Sequence, residues 1–284
     1  MMKQLIINAD DCGISTEVNE AIGKCFAEDK ITGTSIISVG RYYTQAVMML
    51  RDIGKTEVGV HLALTGDFLP ADGDGKKRTS MAVGEEIFPR DYKGLAFHYM
   101  CGRVHKKHVY DEFKAQIRKV ADSELRVTHI DSHEHIHMLP GILDVTLELA
   151  QEFDIPYIRV PVEPAGIITA SFKAKDLARY IALRAMSAMN VKKLKNTSIK
   201  SNNVFLGHFH SGRITDDILC FMINNLAEGV TEIAVHPAIF AKEAVVGYPA
   251  RQNAAMEFDV LMNGQWKVYA QKAGASLVSH KDVS

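Results

Sequence analysis

Nothing in this sequence supplies a covalent or lipid-borne framework. Its four cysteines (Cys12, Cys25, Cys101 and Cys220) lie far apart, with no Cys-x-x-Cys pair. That spacing argues against a disulfide scaffold and against a thiolate zinc site, and the thiols read as those of a reduced, cytoplasmic protein. No apolar run approaches the roughly 18 residues of a membrane span. After Met1-Met2-Lys3, the stretch Leu5-Ile6-Ile7 stops at Asn8 and two aspartates, far too short for a secretory signal core. Charge of one sign is missing too. Against 33 Lys and Arg stand 34 Asp and Glu, so no global field points to nucleic acid or a membrane surface. Internal repeats and low-complexity tracts are absent. What remains is a chain of 284 residues, long enough to bury a core without a metal or disulfide to fold it. Barrels of this size form one domain, so a single domain over 1–284 is expected.

Short β-branched runs alternate with helical patterns along the chain. Strands are expected at 4–9, 35–39, 57–64, 127–130, 157–160, 203–206, 232–236 and 275–278. Between the first two, Ser15 offers an N-cap, and Val18, Ile22, Cys25 and Phe26 recur at helical spacing. Further helices are expected over 109–122, 141–153, 216–227 and 253–262. Two segments fall outside the alternation. One is a loop insertion near 65–108, too long for an ordinary connection. The other is a basic helical segment near 171–200, where eight Lys and Arg face the single acid Asp176 and read as a solvated helix face. Strand–helix alternation favours a parallel sheet with crossover helices. The count of seven or eight strands favours an α/β fold of irregular (β/α) barrel type over an open doubly wound sheet.

The placement of Asp and His then matters most. Asp10 and Asp11 follow the first strand, and His61 lies late in the third. His129, Asp131, His133, His135 and His137 crowd the end of the fourth, and His236-Pro237 ends a late strand. Strand C-termini of a barrel converge on one rim, so four separate segments deliver these groups to one place. One carboxylate with two imidazoles suits a divalent ion that keeps open positions for water and substrate. Four histidines within nine residues point to metal or proton chemistry. His208 and His210, flanking Phe209, read as structural or substrate-facing.

In order along the chain stand Asn8-Ala9-Asp10-Asp11-Cys12-Gly13, Gly59-Val60-His61-Leu62-Ala63-Leu64-Thr65, His129-Ile130-Asp131-Ser132-His133-Glu134-His135-Ile136-His137 and His236-Pro237-Ala238. Together these motifs resemble the YdjC-like (ChbG-type) carbohydrate deacetylases, which are related to the NodB-type polysaccharide deacetylases. The resemblance implies that Asp11, His61 and His133 hold one divalent ion, magnesium or zinc, with the donor types leaning toward zinc. It implies Asp10 as general base and His236 as general acid, on an irregular (β/α) barrel. Arg159 and Glu257 match family positions more weakly. Cys12 stands where the family has Phe, and is expected to pack beneath the loop.

Two support roles are expected as well. Arg159 beside Asp10 keeps it ionised, and Asp131 holds an imidazole N–H and fixes its tautomer. The implied function is removal of the N-acetyl group from a small amino sugar, such as a chitooligosaccharide with or without a phosphate, releasing acetate. The substrate is then a small N-acetylated sugar, nucleic acid and membrane have no part, and a homodimer is the default assembly. Two alternatives share the residues: another metal-dependent amidohydrolase or phosphoesterase, and a non-catalytic metal- or sugar-binding protein. A phosphoesterase with two metals needs bridging carboxylates, and a structural site needs four ligands and no spare acid and base.

Overall fold

The computed structural model describes residues 2–66, 68–71, 87–164, 166, 174–239 and 254–283. In chain order these form β1 (Lys3–Cys12), α1 (Thr16–Ala27), β2 (Gly33–Ile36), α2 (Tyr43–Asp52), β3 (Glu57–Leu62), α3 (Tyr92–Met100) and α4 (Lys106–Ala121). Then come β4 (Arg126–Ser132), a 3-10 turn (His133–Met138), α5 (Ile142–Glu152), β5 (Tyr157–Ile158), α6 (Ala174–Leu194), β6 (Val204–Leu206) and α7 (Asp216–Asn224). β7 (Gly229–Val235), α8 (Ala254–Asn263), α9 (Trp266–Lys272), β8 (Ala275–Leu277) and α10 (His280–Val283) complete the order.

Every strand pair is parallel, in the order β5-β4-β3-β2-β1-β7-β6, with β8 also paired to β1. β8 borders Lys3–Leu5, and β2 borders β1 from Asn8 upward, so the two share one flank of β1 at different heights. The outer strands of this curled sheet approach each other. Ile158 N–H donates to Lys200 O at 3.0 Å and Phe205 N–H to Val162 O at 2.9 Å. The Asn202 amide spans the seam, accepting from Val160 N at 2.8 Å and donating to Val160 O at 2.6 Å. That is the irregularity of the expected barrel: a side chain substitutes for missing ladder bonds.

Successive strand residues face opposite sides, and here the two sides differ in chemistry. Leu5, Ile7, Val58, Val60, Leu62, Ile130, Ile233 and Val235 join the apolar faces of the helices in one large buried cluster. Each such side chain contributes about 1.5–3 kcal/mol on burial, so stability resides in this outer layer. The inner side is largely polar. Ile6, Tyr157 and Val230, with Val278 and Val283 packed against them, form a small apolar cluster there, beneath buried Asn8, Asp10, Ser35, His61, His129, Asp131, Arg159 and Glu232.

Boundaries moved where tertiary pairing overrode local pattern. β2 begins at Gly33 because Asn8 and Ala9 pair with Gly33 and Thr34. β4 continues to Ser132 because its ladder to β3 extends to Leu62, which makes Asp131 and Ser132 strand residues. Within the expected 65–108 insertion lies α3, while 72–86 fall outside the described residues. The basic segment contributes α6, with 171–173 outside the described residues.

Candidate functional site

Two adjacent strand residues normally point to opposite faces, so Asp10 and Asp11 need a local device to share a site. Between Ala9 and Cys12 the register against β2 slips, Ala9 pairing with Thr34 and Cys12 with Ile36. Asp11 adopts φ 67°, a left-handed conformation that Asp tolerates better than most residues. This is a β-bulge beside a site. It leaves Asp10 pointing into the bore and turns Asp11 onto the rim. Cys12 is fully buried in the outer cluster.

Asp11 meets two histidines. Its Oδ1 lies 3.4 Å from His61 Nε2 and 3.3 Å from His133 Nδ1. In a tetrahedral ion with bonds of ~2.1 Å, neighbouring donors sit roughly 3.4 Å apart, so the three atoms fit one small divalent cation. A second trio, Asp10, His61 and Asp131, is equally compact, but a guanidinium already fills it. Asp131 Oδ1 accepts from His61 Nδ1 at 2.8 Å, which requires the proton on Nδ1 and leaves Nε2 facing Asp11. Ser35 Oγ donates to Asp131 Oδ2 at 2.8 Å.

Arg159 is wholly buried among carboxylates. Nη1 donates to Asp10 Oδ2 at 2.6 Å and Nη2 to Asp10 Oδ1 at 2.7 Å. Nη2 also lies 2.8 Å from Asp131 Oδ2, and Nε donates to Glu232 Oε1 at 2.7 Å. Burial raises the Asp10 carboxyl, but the charge and hydrogen bonds of Arg159 overrule it and bring the group down to about 2. Asp11 is likewise opposed by burial, yet its hydrogen bond and charge interaction with His133, then His61, hold it well below the usual carboxylate range. Burial lowers His61, but Asp131 first and then Asp10 and Asp11 push it up to about 9. Asp10, Asp11, Asp131 and Glu232 together outnumber the Arg159 guanidinium and the His61 imidazolium, so the site carries excess negative charge. That balance, with three converging donors, suits a cation.

His236 stands at the end of β7, partly exposed. Its backbone N–H donates to Glu257 Oε2 at 2.7 Å, while its Nδ1 lies 3.4 Å from Ser211 Oγ. Its charge reaches both Asp10 and Asp11. Glu257 also accepts from Ile214 N at 3.3 Å, so one buried carboxylate ties the His236 strand end to a neighbouring loop.

The histidine-rich stretch divides its tasks. Of its four histidines, His133 is the one that reaches Asp11. Glu134 and His135 take φ 53° and 57°, coiling the chain tightly after the strand. His137 latches this turn: its Nδ1 bonds Ser132 Oγ, and its Nε2 donates to Arg159 O at 2.9 Å. His135 packs on Phe205 and His208. His129 lies deeper in the bore, stacked on His280 with ring centroids 3.4 Å apart. His210 is buried, and burial lowers its imidazole.

Ser35, Asn8, Tyr157, Glu232 and His280 escaped the sequence reading. Glu232 carried a signal, a lone carboxylate inside the apolar run Val230–Val235.

A family model described as YdjC-like protein matches residues 4–272. A carbohydrate deacetylase of Brevibacillus brevis is 26% identical over 99% of this chain and 99% of its own. A chitooligosaccharide deacetylase of Citrobacter koseri is 26% identical over the whole of both chains. The crystal structure of an Enterococcus faecalis V583 protein assigned to cellobiose-phosphate cleavage superposes over 100% of both chains, with TM-score 0.77 and 22% identity. That likeness establishes a common fold.

Proposed function

Because the chain belongs to the YdjC-like family, we propose that it is a metal-dependent carbohydrate deacetylase, removing the acetyl group from the nitrogen of a small amino sugar. The deacetylase names of its relatives support the bond broken. The observation that carries the reading is the division of labour at the β1 bulge: Asp11 converges with His61 and His133, while Asp10, beside His61, has both carboxylate oxygens engaged by Arg159.

Asp11 Oδ1, His61 Nε2 and His133 Nδ1 are the donors that would hold the ion. A divalent ion there supplies Lewis acidity toward the acetyl carbonyl and a water of lowered pKa. Asp10, near the donors but not among them, takes the proton from the attacking water. Its bidentate clamp guarantees the ionised form and fixes where the carboxylate points, and it lowers basicity in exchange. His236, partly exposed on the rim, gives a proton to the departing amine nitrogen. Asp131 holds the His61 ring in the tautomer that frees Nε2.

The direct assay follows acetate and free amine from N,N′-diacetylchitobiose and from its 6-phosphate. The second sugar is included because of the name of the Enterococcus protein. Enzyme stripped by chelator should be inactive, and enzyme reloaded with zinc or magnesium should release acetate and amine in equal amounts. Intact sugars under every reload, with cleavage of a phosphoester instead, would transfer the site to the phosphoesterase alternative.

A further inference from the structure

Glu232 has no part in the steps above, yet it is fully buried in the bore. An isolated carboxylate there costs several kcal/mol unless it is paired. Its Oε1 lies 2.7 Å from Arg159 Nε and 3.4 Å from His280 Nε2, and its Oε2 accepts from Tyr157 OH at 3.0 Å. The carboxylate is therefore itself held from β5 by the Tyr157 hydroxyl, with the His280 imidazole of α10 close beside it. Arg159 is fixed in turn. Its two terminal nitrogens serve Asp10 and Asp131, its Nε serves Glu232, and Phe205 covers its face with Cζ 5.1 Å from the ring centre. A planar guanidinium held only at its fork can tilt toward either aspartate. A third bond at Nε, on the opposite edge, removes that freedom.

We propose that Glu232 is a positioning residue of this site, anchoring Arg159 by its Nε so that both terminal nitrogens stay on Asp10 and Asp131. The inference rests on the deacetylase reading for its kinetic consequence, and on geometry alone for the anchor.

The test compares wild type, Glu232→Gln, Arg159→Met and the double variant, all metal-loaded. Glu232→Gln should lower kcat about tenfold, the lower end of the losses seen when outer partners of a metal site are changed. KM and metal content should hold within about twofold. In the Arg159→Met background the same substitution should lower kcat no further, because residues acting through one another are non-additive. Equal fractional losses in both backgrounds would overturn the proposal. Tyr157→Phe removes one of the bonds on Glu232 without burying a new polar group, so it serves if Glu232→Gln does not fold. It should repeat the same kcat-only, Arg159-dependent pattern more weakly, and a loss independent of Arg159 would count against the anchor. If wild type deacetylates nothing, the functional reading fails separately. The anchor is then read by NMR: the Arg159 Nε–H signal, assigned by its absence in Arg159→Met, should be protected from solvent exchange in wild type and lose protection in Glu232→Gln. Unchanged protection overturns the anchor.

Discussion

His137 shows how a single side chain in the motif can serve the fold instead of the chemistry. Burial drives its imidazole down to about 4, and its bond to the Arg159 carbonyl only partly offsets that. The folded protein therefore keeps His137 neutral while the unfolded chain takes up a proton near 6.5. As pH falls from about 6.5 to about 4, the unfolded state binds more protons and this residue's contribution to stability declines, by on the order of 3 kcal/mol in all. Glu163 has the opposite sign. Burial raises it to about 7, so its effect on stability worsens as pH rises from the ordinary glutamate value. The two offset each other in a plain pH scan, and a difference measurement separates them. Urea unfolding of wild type and His137→Gln should differ most near pH 7, with the gap narrowing by pH 5. A gap independent of pH would mean that His137 titrates normally in the fold.

At the scale of elements, strand register decides which groups meet. His129 pairs with Gly59, and a Cβ placed on Gly59 would lie 2.1 Å from His129 Nε2. Only glycine leaves room for that ring. Gly59→Ala should cost about 2 kcal/mol, as overpacking does, a fall of roughly 5 °C in Tm for a chain of this size. Made in a His129→Ala background, the same change should cost much less. Equal costs in both backgrounds would remove the ring as the cause. The same logic explains what was readable beforehand. That Asp and His groups gather at one place was legible because strand C-termini must share a rim, whatever the detailed register; the choice of Asp11, His61 and His133 among them came from the family resemblance. Asp131 was legible as part of the Asp and His cluster that follows the fourth strand, and Arg159 through its match to a family position. Glu232 was not, since a lone acid in a strand more often faces solvent, and its inward direction depends on pairing with Ile6 of β1. His280 was out of reach because α10 enters the bore only through contacts remote in sequence. His129 belongs to the histidine cluster by sequence, but β4 runs past Ile130 and leaves its ring well below the rim.

For the molecule as a whole, the sheet separates two functions by side. The outer face packs helices and supplies stability; the inner face buries ionisable groups and supplies a charged, rigid cavity floor. Buried ions seldom add net stability over apolar residues of the same shape, so a bore of this composition is explained by what it holds in place at the rim. Among the described residues no helix is long and apolar enough to cross a membrane. The central claim is that neighbouring aspartates do different work, and it is tested most directly by measuring bound metal and acetate release for Asp10→Asn beside Asp11→Asn. The account predicts that Asp10→Asn keeps its metal and loses nearly all turnover, while Asp11→Asn loses both. Full turnover in Asp10→Asn, or undiminished metal binding in Asp11→Asn, would contradict it.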